Sequence, residues 1–217
     1  MTLFEKLRCL FTFGQGVALP LPTVSENTTP GELFKIWFED AKRSGVLLPE
    51  AMSVSTCSLD GQPSSRMVLL KEFDDRGFVF FTNYTSRKSC DLVSNNKIAL
   101  LFHWGVLQRQ IRIEGEVEKI SIEESADYFH SRGKGSQIGA WASKQSRELK
   151  YDNELNDRMQ HFQTKFSDGE IPHPEFWGGW RIKPHSFEFW QGRANRLHDR
   201  LCFKLQNNEW QHCKLNP

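Results

Sequence analysis

From Ala51 onward the chain alternates between short β-branched or aromatic runs and Asp/Gly turns. AMSVSTCSL, SRMVLLKEF and GFVFFTN are separated by Asp60-Gly61-Gln62-Pro63 and Asp74-Asp75-Arg76-Gly77, which carry the chemistry of tight hairpins. KIALLFHW and QRQIRIEGEVEKI keep the two-residue period, and GGWRIKP, SFEFWQG, DRLCFKL and EWQHCKL resume it near the C-terminus. Between these groups, residues 121–132 and a longer piece over 146–166 read as helices. An earlier helix is announced by Thr29 as N-cap, Pro30 at N1 and Glu32 at N3. Its stripe is Leu33, Ile36, Trp37 and Ala41, and Gly45 ends it. The pattern predicts a mainly β fold with flanking helices, an antiparallel sheet closed as a barrel. Residues 1–28 finish in the Pro-rich PLPTVSENTT and read as a disordered tail, leaving 29–217 as a single domain.

Composition narrows the class. A chain of 217 residues can bury roughly 70% of its unfolded surface and needs no staples. The 17 Phe and 7 Trp favour a sheet-rich core or a site that stacks on flat ligands. A net charge of +1 argues against nucleic acid as the main partner. RGFVFF partly mimics an RNA-binding strand, but Val79 stands where Gly or Ala is wanted. Five scattered cysteines with no CxxC pair predict neither a disulfide framework nor a metal site, and suggest a reducing, cytoplasmic setting. No run approaches the 18 or so apolar residues of a membrane span. An organellar presequence is the alternative reading of the apolar start MTLFEKLRCLFTFG.

Five segments carry candidate chemistry. Within Arg66-Met67-Val68-Leu69-Leu70-Lys71, alternation sends Arg66 and Lys71 to opposite faces, a cation at each end of an apolar run. After GFVFF, a hydroxyl-rich loop from Thr82 leads into Arg87 and Lys88 at a helix start, where free N–H groups and cations favour phosphate. Gln110 and Arg112 share one face of their strand and Arg109 the other, so that strand is not simply half-buried. Tyr128 and Arg132 share a helical face, and Ser136 joins them if the two glycines let the chain curl back. Each of these four also reads as ordinary structure. The densest segment, Trp190 to Arg200, holds three arginines, His198 and an indole between two strands, and there a binding role leads.

RMVLLK, FFTN-x-x-SRK, RQIRIEG, YFHSR…SQIGAWAS-x-QS, WGG and FWQG-x-x-NRLHDR together resemble the pyridoxine/pyridoxamine 5'-phosphate oxidase family, in family order from about Ala51 to Leu205. The resemblance implies a split β-barrel, antiparallel and Greek-key, and a homodimer with two FMN molecules at its interface. It implies FMN contacts from Arg66, Met67, Val68, Leu69, Phe81, Thr82, Arg87, Lys88, Gln110, Gln145, Ser146, Trp190 and Arg200. It further implies that Lys71, Tyr128, Arg132 and Ser136 hold the substrate phosphate. Arg196, Leu197 and His198 would lie at the substrate ring, with Arg196 and His198 catalytic. The implied reaction oxidises pyridoxine 5'-phosphate or pyridoxamine 5'-phosphate to pyridoxal 5'-phosphate by hydride transfer to FMN, with O2 giving H2O2. The alternatives are a related flavin reductase with another substrate and a non-catalytic pyridoxal-phosphate carrier. The ending Lys214-Leu215-Asn216-Pro217 departs from the family's Arg-Leu-Ala-Pro.

Overall fold

The computed structural model describes Leu21, Ser25 and residues 28–217. The expected disordered tail lies outside these residues, apart from Leu21, Ser25 and Thr28. Leu21 packs against the main core.

Helix α1 (Pro30–Arg43) opens as its sequence dictates. The Thr29 hydroxyl accepts from Glu32 N at 3.3 Å, and Glu32 Oε2 accepts from Thr29 N at 3.0 Å. Its buried face is Leu33, Phe34, Trp37, Phe38 and Ala41, while Ile36 is 52% exposed. At about 100° per residue, Phe34 and Phe38 swing the stripe's centre away from Ile36, which corrects the predicted face. Phe34 meets Phe73, Phe78 and Phe102 with ring centroids 4.9, 4.8 and 5.2 Å away, so α1 seals the barrel interior.

The strands are β1 (Ala51–Cys57), β2 (Pro63–Leu69), β3 (Glu72–Asp74), β4 (Gly77–Asn83), β5 (Lys97–Trp104), β6 (Arg109–Lys119), β7 (Trp177–Gln191), β8 (Asp199–Gln206) and β9 (Glu209–Lys214). They form a curled sheet in the order β2-β1-β5-β6-β7-β4-β3, with β8 added to β7 and β9 to β8. All pairings are antiparallel. The run SRMVLLKEF divides at Leu70 and Lys71 because the chain changes edges there. Leu70 N bonds to Glu50 O, and the next amide, Lys71 N, bonds to Val79 O.

β7 is the spine. GGWRIKP and SFEFWQG, expected as two strands, are one of 15 residues. Pro184 does not break it, because it lies opposite the β6 bulge at Glu114/Gly115, where no ladder bond is required. A Cβ on Gly115 would come 2.3 Å from Lys183 O, so only glycine lets the backbones approach this closely. Before the bulge β7 pairs with β4, and after it with β8.

Helices α2 (Arg87–Ser94), α3 (Ile122–Ser131), α4 (Lys134–Ala142) and α5 (Glu154–Lys165) complete the described α-helices. α3 to α5 gather Phe129, Ile138 and Phe166 around Trp177 in a second apolar cluster. The helix expected over 146–166 starts only at Glu154: Ser146 is left-handed (φ 68), and Glu154 Oε2 receives the Lys150 amide before the first turn.

Candidate functional site

β2, the end of β4, the start of α2 and helices α3 and α4 enclose a pocket of about 790 Å³. Fourteen of the residues singled out by sequence line it: Arg66, Met67, Val68, Leu69, Lys71, Phe81, Thr82, Arg87, Lys88, Tyr128, Arg132, Ser136, Gln145 and Ser146. Stretches that are 80 residues apart in the chain thus form one site.

One end is a cation cradle. Lys88 is only 6% exposed. Its ammonium donates to Thr82 Oγ1 at 3.0 Å, Ser86 Oγ at 3.1 Å and Gln145 Oε1 at 3.3 Å, and no carboxylate pairs with it among the described residues. Burial, and then the charge of Arg66, pushes its pKa down to about 8. Arg66 spends three donors on Val54 O (3.1 Å), Thr56 Oγ1 (2.9 Å) and Ser64 Oγ. Burial lowers the Arg66 pKa as well, while Asp91 opposes that shift. Partly desolvated cations held by neutral oxygens favour an anion.

The other end is built on aromatic rings. Phe81, Tyr128 and Trp177 lie nearly parallel, with Phe81 and Tyr128 centroids 3.9 Å apart and Tyr128 and Trp177 at 6.2 Å. The Arg132 guanidinium rests over the Trp177 ring at 4.6 Å. Its Nη1 is buried with no hydrogen-bond partner among the described residues. Burial lowers this pKa too. Ser136 stands in the first turn of α4, where its amide bonds back to Gly133 O, so the chain does curl back beside Arg132. An orphaned guanidinium donor near a phenol and a hydroxyl fits a second anion.

The remaining six predicted residues lie elsewhere. Gln110, Trp190 and Arg200 stand side by side across β6, β7 and β8. His198 packs on Trp190 with centroids 4.6 Å apart. Arg193 N donates to His198 Nδ1 at 3.2 Å, so a neutral ring carries its hydrogen on Nε2. Arg196 and Leu197 are exposed in the preceding turn, with Arg196 left-handed at φ 61. Arg200 Nε bonds to the buried Glu188 at 2.8 Å, and its Nη1 reaches Asn216 O at 2.8 Å, so the unusual chain ending is tied down there. None of the six lines the pocket. Trp177 lines it from one end of β7 and Trp190 stands near the other. At about 3.3 Å per residue, that is about 40 Å of strand contour.

Two readings change. β6 is half-buried after all: Arg109 is 3% exposed, lies over Trp37 at 4.4 Å, and pairs with Asp40 at 2.8 Å. Trp177, Asn83 and Ser143 line the pocket, although the sequence offered Trp177 only within WGG and Ser143 only within GAWAS.

An antiparallel curled barrel with this pocket defines the split-barrel flavin-binding class. PhzG from Burkholderia lata 383, solved with tetrahydrophenazine-1-carboxylic acid, superposes with a TM-score of 0.87 at 30% identity over 93% of this chain and 100% of that one. An FMN-binding, pyridoxamine 5'-phosphate oxidase-related protein from Nostoc punctiforme has the same fold, with a TM-score of 0.70 at 14% identity over 88% and 100%.

Residues 38–166 match the pyridoxamine 5'-phosphate oxidase family, and residues 177–217 match the pyridoxine 5'-phosphate oxidase C-terminal dimerisation region. A pyridoxine/pyridoxamine 5'-phosphate oxidase of Colwellia psychrerythraea is 75% identical over the full length of both chains, and one from Psychromonas ingrahamii 54%. The chain belongs to the pyridoxamine 5'-phosphate oxidase family of flavin-dependent enzymes.

Proposed function

We propose that the chain acts as a homodimer that oxidises pyridoxine 5'-phosphate and pyridoxamine 5'-phosphate to pyridoxal 5'-phosphate, passing a hydride to FMN, with O2 as final acceptor and H2O2 as by-product. The observation that carries this reading is the pairing of two anion-seeking ends in one pocket: among the described residues, Lys88 has neutral partners only and Arg132 has an orphaned donor.

FMN fits the cradle end by its chemistry and supplies the two-electron redox step when bound. Arg66, Arg87 and Lys88 hold its phosphate, and Met67, Val68, Leu69, Phe81, Thr82, Gln145 and Ser146 border the rest. Lys71, Tyr128, Arg132 and Ser136 hold the substrate phosphate. Gln110, Trp190 and Arg200, with Arg196, Leu197 and His198, come from the second copy, since none of the six lines the pocket of its own chain. The family match over 177–217 to a dimerisation region supports this.

Arg196 supplies charge at the substrate ring. His198 donates through Nε2 and orients the 4'-substituent, since its Nδ1 is occupied by Arg193 N. With the amine substrate, hydrolysis of the imine product releases ammonia. Closing the pocket with a second chain excludes water and strengthens each of these charges. The four described free cysteines fit a cytoplasmic setting. The test is the visible spectrum of the purified protein, followed by peroxide release on adding pyridoxine 5'-phosphate. A colourless protein that refuses excess FMN would overturn the proposal.

A further inference from the structure

Asp91 lies on α2 behind the cation cradle, 8% exposed, and forms no direct ion pair among the described residues. Its Oδ2 accepts from Thr56 Oγ1 at 2.6 Å and from Ser64 Oγ at 3.3 Å. Those same two oxygens accept from the Arg66 guanidinium, Thr56 from Nη1 at 2.9 Å and Ser64 from Nη2. Each hydroxyl has one hydrogen. Once that hydrogen points at Asp91, the oxygen can only present lone pairs to Arg66. The carboxylate therefore fixes the polarity of both hydroxyls, and they fix the plane of the guanidinium.

We propose that Asp91 is a positioning residue for the flavin phosphate, acting on Arg66 through Thr56 and Ser64 without touching the ligand. This rests on the reading that the Arg66–Arg87–Lys88 end receives that phosphate. The indirect contact matters chemically. A direct carboxylate pair would occupy the two-pronged edge of Arg66, and phosphate would have to displace it. Through hydroxyls, Arg66 stays cationic, with two of its five N–H donors not spent on Val54, Thr56 or Ser64.

The proposal has a sign that simple electrostatics does not share. Removing a negative charge that acts on Arg66 should tighten binding of a dianion if Asp91 acts only through space. If Asp91 positions Arg66, its removal weakens binding.

The test measures FMN and riboflavin affinities of the flavin-stripped protein by flavin fluorescence, for wild type, Asp91→Asn, Thr56→Val and Ser64→Ala. Asp91→Asn is expected to weaken FMN by about tenfold, on the scale of losing a charge-assisted contact, and to leave riboflavin unchanged. Thr56→Val should act in the same direction, and the double variant should lose less than the sum. Tighter or unchanged FMN binding in Asp91→Asn overturns the proposal, as does equal weakening of both flavins. Should Asp91→Asn fail to fold, Thr56→Val and Ser64→Ala with unchanged FMN preference overturn it. A wild type that binds both flavins equally overturns the phosphate reading and this proposal together, an outcome recognisable without any variant.

Discussion

Replacing Lys88 by methionine should stabilise the flavin-free protein at neutral pH while crippling its hold on flavin phosphate. Methionine keeps most of the buried stem and removes the charge. The Lys88 pKa falls from 10.5 in the unfolded chain to about 8 in the fold. At about 1.4 kcal/mol per unit, that depression costs about 3 kcal/mol whenever the ammonium is charged. The pocket mouth admits water, which offsets part of this and leaves about 2 kcal/mol. The sign follows from proton counting. Below pH 8 both states hold the proton and the full cost is present. Between about 8 and 10.5 the unfolded chain binds more protons than the folded one, so stability rises with pH.

The assay is urea unfolding of the stripped protein at pH 7 and pH 10, for wild type and Lys88→Met. The variant should be more stable at pH 7 by about 1–2 kcal/mol, allowing for the lost hydrogen bonds to Thr82, Ser86 and Gln145. Its advantage should shrink at pH 10. FMN affinity should drop by at least about tenfold, since a phosphate contact to a buried cation is lost. A variant less stable than wild type at both pH values would show that the three neutral acceptors fully compensate the ammonium, and that no anion is needed there.

Arg132→Leu should raise KM for pyridoxine 5'-phosphate by at least about tenfold and leave FMN affinity intact, since Arg132 lies over Trp177 with an Nη1 that has no partner among the described residues; equal loss of both would merge the two ends. Arg196→Met should raise KM and lower kcat, and unchanged kinetics would remove Arg196 from the site. In a shared-site dimer, mixing chains carrying Arg132→Leu with chains carrying Arg196→Met should restore about a quarter of wild-type activity, because half the dimers are mixed and each has one intact site; no recovery would place both residues in one chain's site. Gly115→Ala should destabilise by about 3 kcal/mol, because the new Cβ meets backbone 2.3 Å away at Lys183 O, and an unaltered melting temperature would show that the bulge yields.

Where a residue's partner is a few positions away, the sequence was readable. Thr29 and Glu32 close a capping box three residues apart, and the Asp-Gly turns bound strands whose alternation needs no distant information. β4 and β5 end where their apolar runs end. The misreadings share another property. Ile36 looked buried because a stripe says nothing about which neighbouring rings compete for the core. GGWRIKP and SFEFWQG read as two strands because what lets Pro184 sit inside one is a bulge at Glu114 and Gly115, on another strand. Arg109 looked anomalous because its partners, Asp40 and Gln191, are 69 and 82 residues away.

The candidate site divides along the same line. Residues with chemistry, such as Arg66, Lys88 and Arg132, were visible one motif at a time, and the family order joined them. Trp177 was not, because its role is to support Arg132 and Tyr128, 45 and 49 residues away, and a lone indole before two glycines reads equally well as core. Nor could alternation reveal that the densest cationic segment stands away from the pocket that the other motifs line. That separation goes with a β7 that runs unbroken from Trp177 to Gln191. Had Pro184 ended the strand, as its residue type suggests, the chain could have doubled back and set Trp190 and His198 over their own pocket. Because the bulge carries the strand through, the cationic segment stands apart from the pocket, and the proposed chemistry calls on a second copy to bring the two together.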